Sequence, residues 1–246
     1  MLEILYEDSH FIAINKPAKL LVHRSDIDRH ETRFAVQELR DQIGRYVWPV
    51  HRLDKGTSGV LLFAFEPQTV ATMAEIFNTD QVKKAYCAVV RGWIEQSIFL
   101  DHAITPPIDP YIKQRKAPEA LSAQTTITPW ACAEIAFPSN GFETSRYALV
   151  QAEPLTGRRH QIRKHLKHLS HPILGDSSYG KGEHNRMMRD RFGVDRMLLH
   201  AWLLQFTSPF DQKTIRICAG VDDDWKRALQ AFAWEGIWQD KTGLCL

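Results

Sequence analysis

The sequence predicts an α+β protein, a mixed, largely antiparallel β-sheet flanked by helices and loops. Three observations lead there. Short apolar and β-branched runs are bounded by turn residues, as strands are. Other stretches carry apolar residues at helical spacing. Strands and helices intermix without the regular strand–helix–strand alternation of a parallel sheet. With 246 residues, the chain is long enough to bury a substantial core.

Taken in order, Leu2 to Asn15 reads as two short strands around an Asp-Ser turn. Lys16-Pro17 forces an extended exit, because the residue before proline is kept out of the helical region. Arg33 to Ile43 has helical spacing, with Val36, Leu39 and Ile43 on one side. Val60 to Phe65 is a continuous apolar run, which suits a strand buried on both faces. Val70, Met73, Ala74 and Phe77 mark a core-facing helix, and Ala85 to Val90 a strand. Residues 101–120 are proline-rich and without period, so a long loop is expected there, in contact with a ligand. Ser145 to Ala152 resumes a strand. Thr156 is placed to cap a helix whose buried stripe is Ile162, Leu166 and Leu169. A last helix starts near Asp222–Asp224, with Trp225, Ala228, Leu229 and Phe232 inward. Trp234 and Trp238 read as core or tail packing.

Composition narrows the function classes. The apolar run at Val60–Phe65 is far short of the roughly 20 residues that span a bilayer. Acidic residues Glu3, Glu7 and Asp8 interrupt the N-terminus, so no secretory leader is expected. Cys87, Cys132, Cys218 and Cys245 are scattered, which supports neither a zinc knuckle nor a disulfide framework. The expectation is a reduced, cytoplasmic protein without metal or other cofactor. Net charge is only +2, but it is unevenly spread. Residues 154–200 hold ten Lys and Arg against four Asp and Glu, leaving twenty-one against twenty-five elsewhere. A basic segment on a mildly acidic body fits a polyanion-binding face, or else a solvated helix face.

Two segments carry the chemistry. In His51-Arg-Leu-Asp-Lys-Gly-Thr-Ser-Gly59 a charged cluster abuts a tight turn and then a buried strand. That arrangement anchors a polar loop at the edge of a core, where a reacting group is held in place. Asp54 is the only carboxylate in the cluster, hence the candidate nucleophile or base. The structural alternative is a turn in which Asp54 caps backbone amides and Arg52 pairs with it. In Thr156-Gly-Arg-Arg-His-Gln-Ile-Arg-Lys-His-Leu166, Arg159 and Arg163 are spaced to share one helix face, near Lys164 and Lys167. Like charges at that spacing repel by a few tenths of a kcal/mol, and phosphates or a buried carboxylate would compensate them. His51, His160 and His200 read as structural hydrogen-bonders.

His51-Arg-Leu-Asp-x-x-Thr-Ser-Gly59 resembles the active-site motif of the RluA-like pseudouridine synthases. Asn15-Lys-Pro17 with Val22-His23 is similar to that family's NKPxGxxVH motif, departing at Lys19 and Leu20, where a glycine and a hydrophobe are usual. Lys83 to Gly92 resembles its KxYxAxVxG strand. Thr156 to Arg163, with His171 to Asp176 and Tyr179-Gly180, resembles its TGRxHQIR…HPIxGDxxYG block, and Leu199-His-Ala201 its pocket-closing segment. These blocks run in family order over most of the chain.

The resemblance implies a pseudouridine synthase catalytic fold over 1–246, without a separate N-terminal RNA-binding domain, and no cofactor or metal. It implies that Asp54 is the catalytic aspartate, that Tyr86 stacks on the target base, and that Arg163 pairs with Asp54 and keeps it ionised. Arg52 would fill the space of the extruded nucleotide, Leu199 would line the pocket, and Arg158, Arg159, Lys164 and Lys167 would bind RNA. The reaction detaches uracil from C1′, rotates it and rejoins it through C5. Asp54 serves it as nucleophile on sugar or base, or as a base for a sugar proton. Three features resemble the branch acting on uridine-65 in the T stem of bacterial tRNA. They are the stretch Trp130–Tyr147, the basic insert Glu183–Gly193 and the Asp-Asp-Asp-Trp helix start at Asp222–Trp225. The expected partner is tRNA, bound by a monomer with no protein partner. The rivals are the same chemistry on ribosomal RNA or another tRNA uridine, a non-catalytic RNA-binding module, and a hydrolase built on His51 and Asp54.

Overall fold

Alternation of apolar side chains builds one extended sheet, seen in a computed structural model that describes residues 1–24, 30–77, 79, 81–106, 119–244 and 246. Its strands are β1 (Glu3–Glu7), β2 (Phe11–Lys16), β3 (Trp48–Pro49), β4 (Ser58–Ala64), β5 (Val82–Arg91), β6 (Ile98–Asp101), β7 (Gln124–Ile135), β8 (Ser145–Pro154), β9 (Leu199–Thr207) and β10 (Thr214–Cys218). The helices are α1 (Ala35–Ile43), α2 (Pro67–Ile76), α3 (Gln161–His168), α4 (Gly182–Phe192), α5 (Asp223–Ala231) and α6 (Glu235–Thr242). The sheet runs β1-β2-β4-β9-β5-β8-β7-β6, with β10 added to β9 and β3 to β4. Every pairing is antiparallel except β4 with β9, where only Ser58↔His200 and Gly59↔Ala201 meet in parallel.

That short parallel join divides the sheet into two halves, each covered on both faces. In β4, Leu61 and Phe63 face α1, and Val60, Leu62 and Ala64 face the side packed by α2 and β10. In β5 and β8, Val89, Tyr147 and Leu149 face α4, α5 and α6, and Ala88, Val90, Ala148 and Val150 face α3. Continuous apolar strands therefore arise here in an antiparallel sheet, because helices desolvate both sides. Gly59 makes the join possible. Its φ is +110°, and a Cβ there would lie 2.2 Å from the Ala201 carbonyl oxygen.

Most expected elements are present, with corrections. Ala74 is exposed, and Thr69 takes the buried place on α2. Thr156 does not cap α3: its Oγ1 is 2.8 Å from Gln161 Oε1 and accepts from the Gln124 N–H. The helix starts at Gln161, after His160 in the left-handed region at φ 59°. Arg159 therefore precedes the helix and shares no helical face with Arg163. The expected loop at 101–120 begins inside β6, and Ile104 bridges Leu121, while residues 107–118, including their expected ligand contact, lie outside the described residues. Glu183–Gly193 forms helix α4 and its cap, and Trp130–Tyr147 is the β7–β8 hairpin. Trp234 and Trp238 belong to the packing of α6. Lys19, standing where the motif has a glycine, holds φ at 64°, a left-handed conformation that costs a non-glycine residue about 1 kcal/mol.

Candidate active site

The loop from His51 to Thr57 is held at both ends. Leu53 is buried beneath it, the Thr57 N–H closes a turn onto the Asp54 carbonyl at 3.0 Å, and Ser58 enters β4. Asp54 therefore projects from a fixed backbone at the join of the two half-sheets, with its side chain 25% exposed. His51 accepts the Leu62 N–H at 3.1 Å and stacks on Phe77, and burial draws its imidazole down to about 3. It is a neutral structural acceptor, as expected from the sequence.

Arg163, on α3, donates from Nη1 to Asp54 Oδ2 at 3.0 Å. Its remaining fork is taken by Asp176, with Nε to Oδ2 at 2.7 Å and Nη2 to Oδ1 at 2.8 Å. Asp176 has no exposed side-chain surface, and its Oδ1 also accepts the N–H groups of Ser178 and Tyr179. Burial raises the Asp176 carboxyl, but the Arg163 hydrogen bonds and charge outweigh it and hold the group ionised, below its ordinary range. For Arg163, burial opposes the charge, and Asp176 and then Asp54 raise it further above its usual value. One guanidinium thus bridges two carboxylates and offers a single donor to Asp54.

Other groups close around this pair. His160 Nε2 lies 3.8 Å from Asp54 Oδ1, and its Nδ1 is 3.0 Å from the Tyr179 hydroxyl. Burial lowers the His160 imidazole, against the pull of Asp54. The Tyr179 ring lies under the Arg163 guanidinium at 4.9 Å. Tyr86 on β5 is half-buried between the apolar layers of the two halves, and burial, then the Asp54 charge, raises its phenol. Lys16 is fully buried and donates to the carbonyls of Leu20 at 2.7 Å, Pro17 at 2.8 Å and Lys55 at 3.4 Å, tying the first motif to the Asp54 loop. Burial draws its ammonium down to about 7, with Arg196 adding to the fall and Asp54 opposing it.

The remaining sequence candidates spread outward. Arg52 and Arg159 are exposed and make no side-chain hydrogen bond or ion pair among the described residues. Arg158 Nε donates to the Ser122 carbonyl at 3.0 Å, and Lys164 Nζ to the Thr105 carbonyl at 2.6 Å. Lys167 is exposed, 5.6 Å from the Tyr179 ring centroid. Leu199 is 3% exposed, in the apolar cluster against which Tyr86 packs. Sequence reasoning missed Asp176, Lys16 and the place of His160 beside Asp54. All three lie inside the quoted motifs, but nothing local marks an Asp after a glycine as the anchor of an arginine thirteen residues earlier.

The family profile for RNA pseudouridylate synthases matches residues 10–168. The chain is 46% identical to a tRNA pseudouridine synthase C of Vibrio cholerae over 239 residues, which is 96% of this chain and 97% of that one. The chain belongs to the RNA pseudouridylate synthase family. Its activity is that of the family, isomerisation of uridine to pseudouridine in RNA. A tRNA pseudouridine synthase C of Haemophilus influenzae is 42% identical over 240 residues, covering 96% of this chain and all of that one. Among solved structures, human RNA pseudouridylate synthase domain containing 1 superposes with a TM-score of 0.68 at 25% identity, over 95% of each chain. The pseudouridine synthase fold expected from the motifs is therefore the observed one.

Proposed function

We propose that this pseudouridine synthase acts on uridine-65 in the T stem of tRNA, with Asp54 as its essential carboxylate. The observation that carries the catalytic assignment is the Asp54–Arg163–Asp176 chain. Asp54 is held by one charge-assisted hydrogen bond from a guanidinium that Asp176 grips through Nε and Nη2. Attack on sugar, attack on base and removal of a sugar proton all need this carboxylate ionised and aimed at the glycosidic bond. Tyr86, rising beside it from β5, stacks on the uracil, at about 1–3 kcal/mol per base. Arg52, exposed and unpartnered among the described residues, takes the place of the extruded nucleotide. Leu199 supports the pocket from below. Arg158, Arg159, Lys164 and Lys167 contact the A-form backbone.

The tRNA assignment rests on the names of the Vibrio and Haemophilus relatives. It also rests on the three branch features, which the fold resolves into the β7–β8 hairpin, α4 and the start of α5. The sheet runs without interruption from β1 to β6, which supports reading 1–246 as one catalytic domain. We read it as a monomer acting in the cytoplasm, where the bacterial tRNA that its relatives are named for is found. No helix among the described residues is long and apolar enough to cross a membrane. The test is pseudouridine mapping by carbodiimide-primer extension on tRNA and ribosomal RNA, with wild-type protein and Asp54→Ala. The expected result is a stop at tRNA uridine-65 that Asp54→Ala abolishes. A stop elsewhere overturns the substrate, and a stop that survives in Asp54→Ala overturns the role of Asp54.

A further inference from the structure

Next to the active site, sharing Tyr179 with it, is a concavity of about 350 Å³. Arg91, Lys167 and Lys181 line it, together with Ser170 and Ser178. The three cations arrive from separate elements: Arg91 ends β5, Lys167 is in the last turn of α3, and Lys181 immediately precedes α4. Among the described residues none of them makes an ion pair or a side-chain hydrogen bond, and the Lys167 ammonium lies 5.6 Å from the Tyr179 ring centroid. No acidic side chain lines the concavity. Asp176 is spent on Arg163, and Glu183 accepts a hydrogen bond from Ser139 Oγ at 3.0 Å.

The floor is rigid. The Arg91 N–H donates to the Pro172 carbonyl at 3.0 Å, and His171 Nδ1 is 2.9 Å from the Arg91 carbonyl. Three converging like charges with no ion-paired carboxylate among the described residues repel one another, and an anion seated between them relieves that repulsion. Two hydroxyls beside them add neutral donors of the kind that bind phosphate oxygens.

We infer that this concavity seats a backbone phosphate of the RNA strand flanking the extruded nucleotide. The strand then passes beside Tyr179, whose hydroxyl meets His160 and whose ring face lies under Arg163 at the reacting centre. The inference rests on the pseudouridine synthase reading and adds Arg91, Lys181, Ser170 and Ser178 to the RNA footprint.

The test is tRNA binding at a series of salt concentrations by wild type, Arg91→Gln/Lys181→Gln, and Lys213→Gln in the β9–β10 turn as control. Removing one cation from a phosphate flattens the log Kd against log salt slope by about 0.7–0.9. The double variant is expected to bind roughly tenfold more weakly at low salt, with a slope shallower by about one, and the control to match wild type. Wild-type affinity and slope in the double variant would overturn the site, as would weaker binding at an unchanged slope, which marks a structural loss. Thermal unfolding checks the fold, and Lys181→Gln alone replaces the double variant if that variant is unstable. A further arm adds inorganic phosphate at fixed ionic strength. If phosphate stabilises wild type but the variants bind tRNA normally, the concavity holds free phosphate and the RNA assignment falls. Wild-type protein that forms no pseudouridine on any RNA defeats the proposed function instead.

Discussion

Arg163 sits between two carboxylates, and the difference in their surroundings sets their roles. Asp176 is sealed, with two guanidinium donors and two backbone N–H groups, whereas Asp54 is a quarter exposed and receives one guanidinium donor. Asp176 fixes the plane and reach of the fork, and Asp54 receives what is left over. Asp176→Asn keeps the shape of the anchor and removes its charge, leaving a buried guanidinium with one ionic partner. Breaking a buried pair costs about 3–5 kcal/mol of stability, and misplacing a reacting group by about 1 Å costs roughly a hundredfold in rate. Asp176→Asn is therefore expected to lose about 3 kcal/mol in chemical denaturation and about a hundredfold in single-turnover rate. A variant with wild-type rate would show that Asp54 is positioned without it. Asp54 and Arg163 were legible in sequence as motif positions, but their partner Asp176 was not, because the pairing is made in space.

At the scale of elements, the join of β4 and β9 holds the site in place. Arg196, buried behind it, donates to Ser58 Oγ at 2.8 Å and to the carboxylate of Asp222, which also caps α5. Ser58 Oγ lies 2.7 Å from His200 Nδ1, and His200 Nε2 is 3.1 Å from the Ala219 carbonyl. This chain is satisfied by a neutral imidazole that accepts from Ser58 and donates to Ala219. Burial draws His200 down to about 4, against 6.5 for a free imidazole. In the unfolded chain His200 takes up a proton below about pH 6.5, while in the folded chain it does so only near 4. Stability is therefore full above about 6.5 and falls with pH down to about 4, by about 2 kcal/mol at pH 5. Denaturant unfolding at pH 7.5 and pH 5 should show a smaller difference for His200→Gln than for wild type, and equal differences would refute the account. The expectation from sequence that His200 is structural agrees with this chain. The misplaced start of α3 has a local cause. Apolar spacing locates a helix's buried stripe, but its first residue depends on the backbone turn at His160.

Across the whole molecule, helices α5 and α6 cover the half-sheet of β5, β8 and β9. Trp225 and Trp238 are both fully buried and lie against each other, and Trp130 meets both Trp202 and Trp238 edge-on. The indole N–H groups of Trp202, Trp225 and Trp238 have no hydrogen-bond partner among the described residues. Their contribution is therefore shape and apolar area. Trp238→Ala is expected to cost about 3–5 kcal/mol in thermal or denaturant unfolding. Trp238→Phe should cost much less, since no hydrogen bond is removed. Equal losses for the two variants would mean that the indole N–H matters after all. Helix α6 escaped the sequence reading because its eight residues bury only Trp238 and Thr242, too few to make a period. Strand β6 escaped because it is four residues long at the sheet edge, with Phe99 exposed.

The sequence by itself determined the chemistry-bearing segments. The Asp54 loop and the Arg163 helix are each marked by residue types at fixed local spacing, the Tyr86 strand only by its resemblance to the family's motif, and the buried strands by unbroken apolar runs. Tertiary structure alone decided three things: that Asp176 orients Arg163, that His160 and Tyr179 flank Asp54, and that Arg91, Lys167 and Lys181 converge. Periodicity reports the burial of each segment along its own axis. Which segments face one another depends on strand order, and here a two-residue parallel join between β4 and β9 brings residues 54 and 163 into one hydrogen bond.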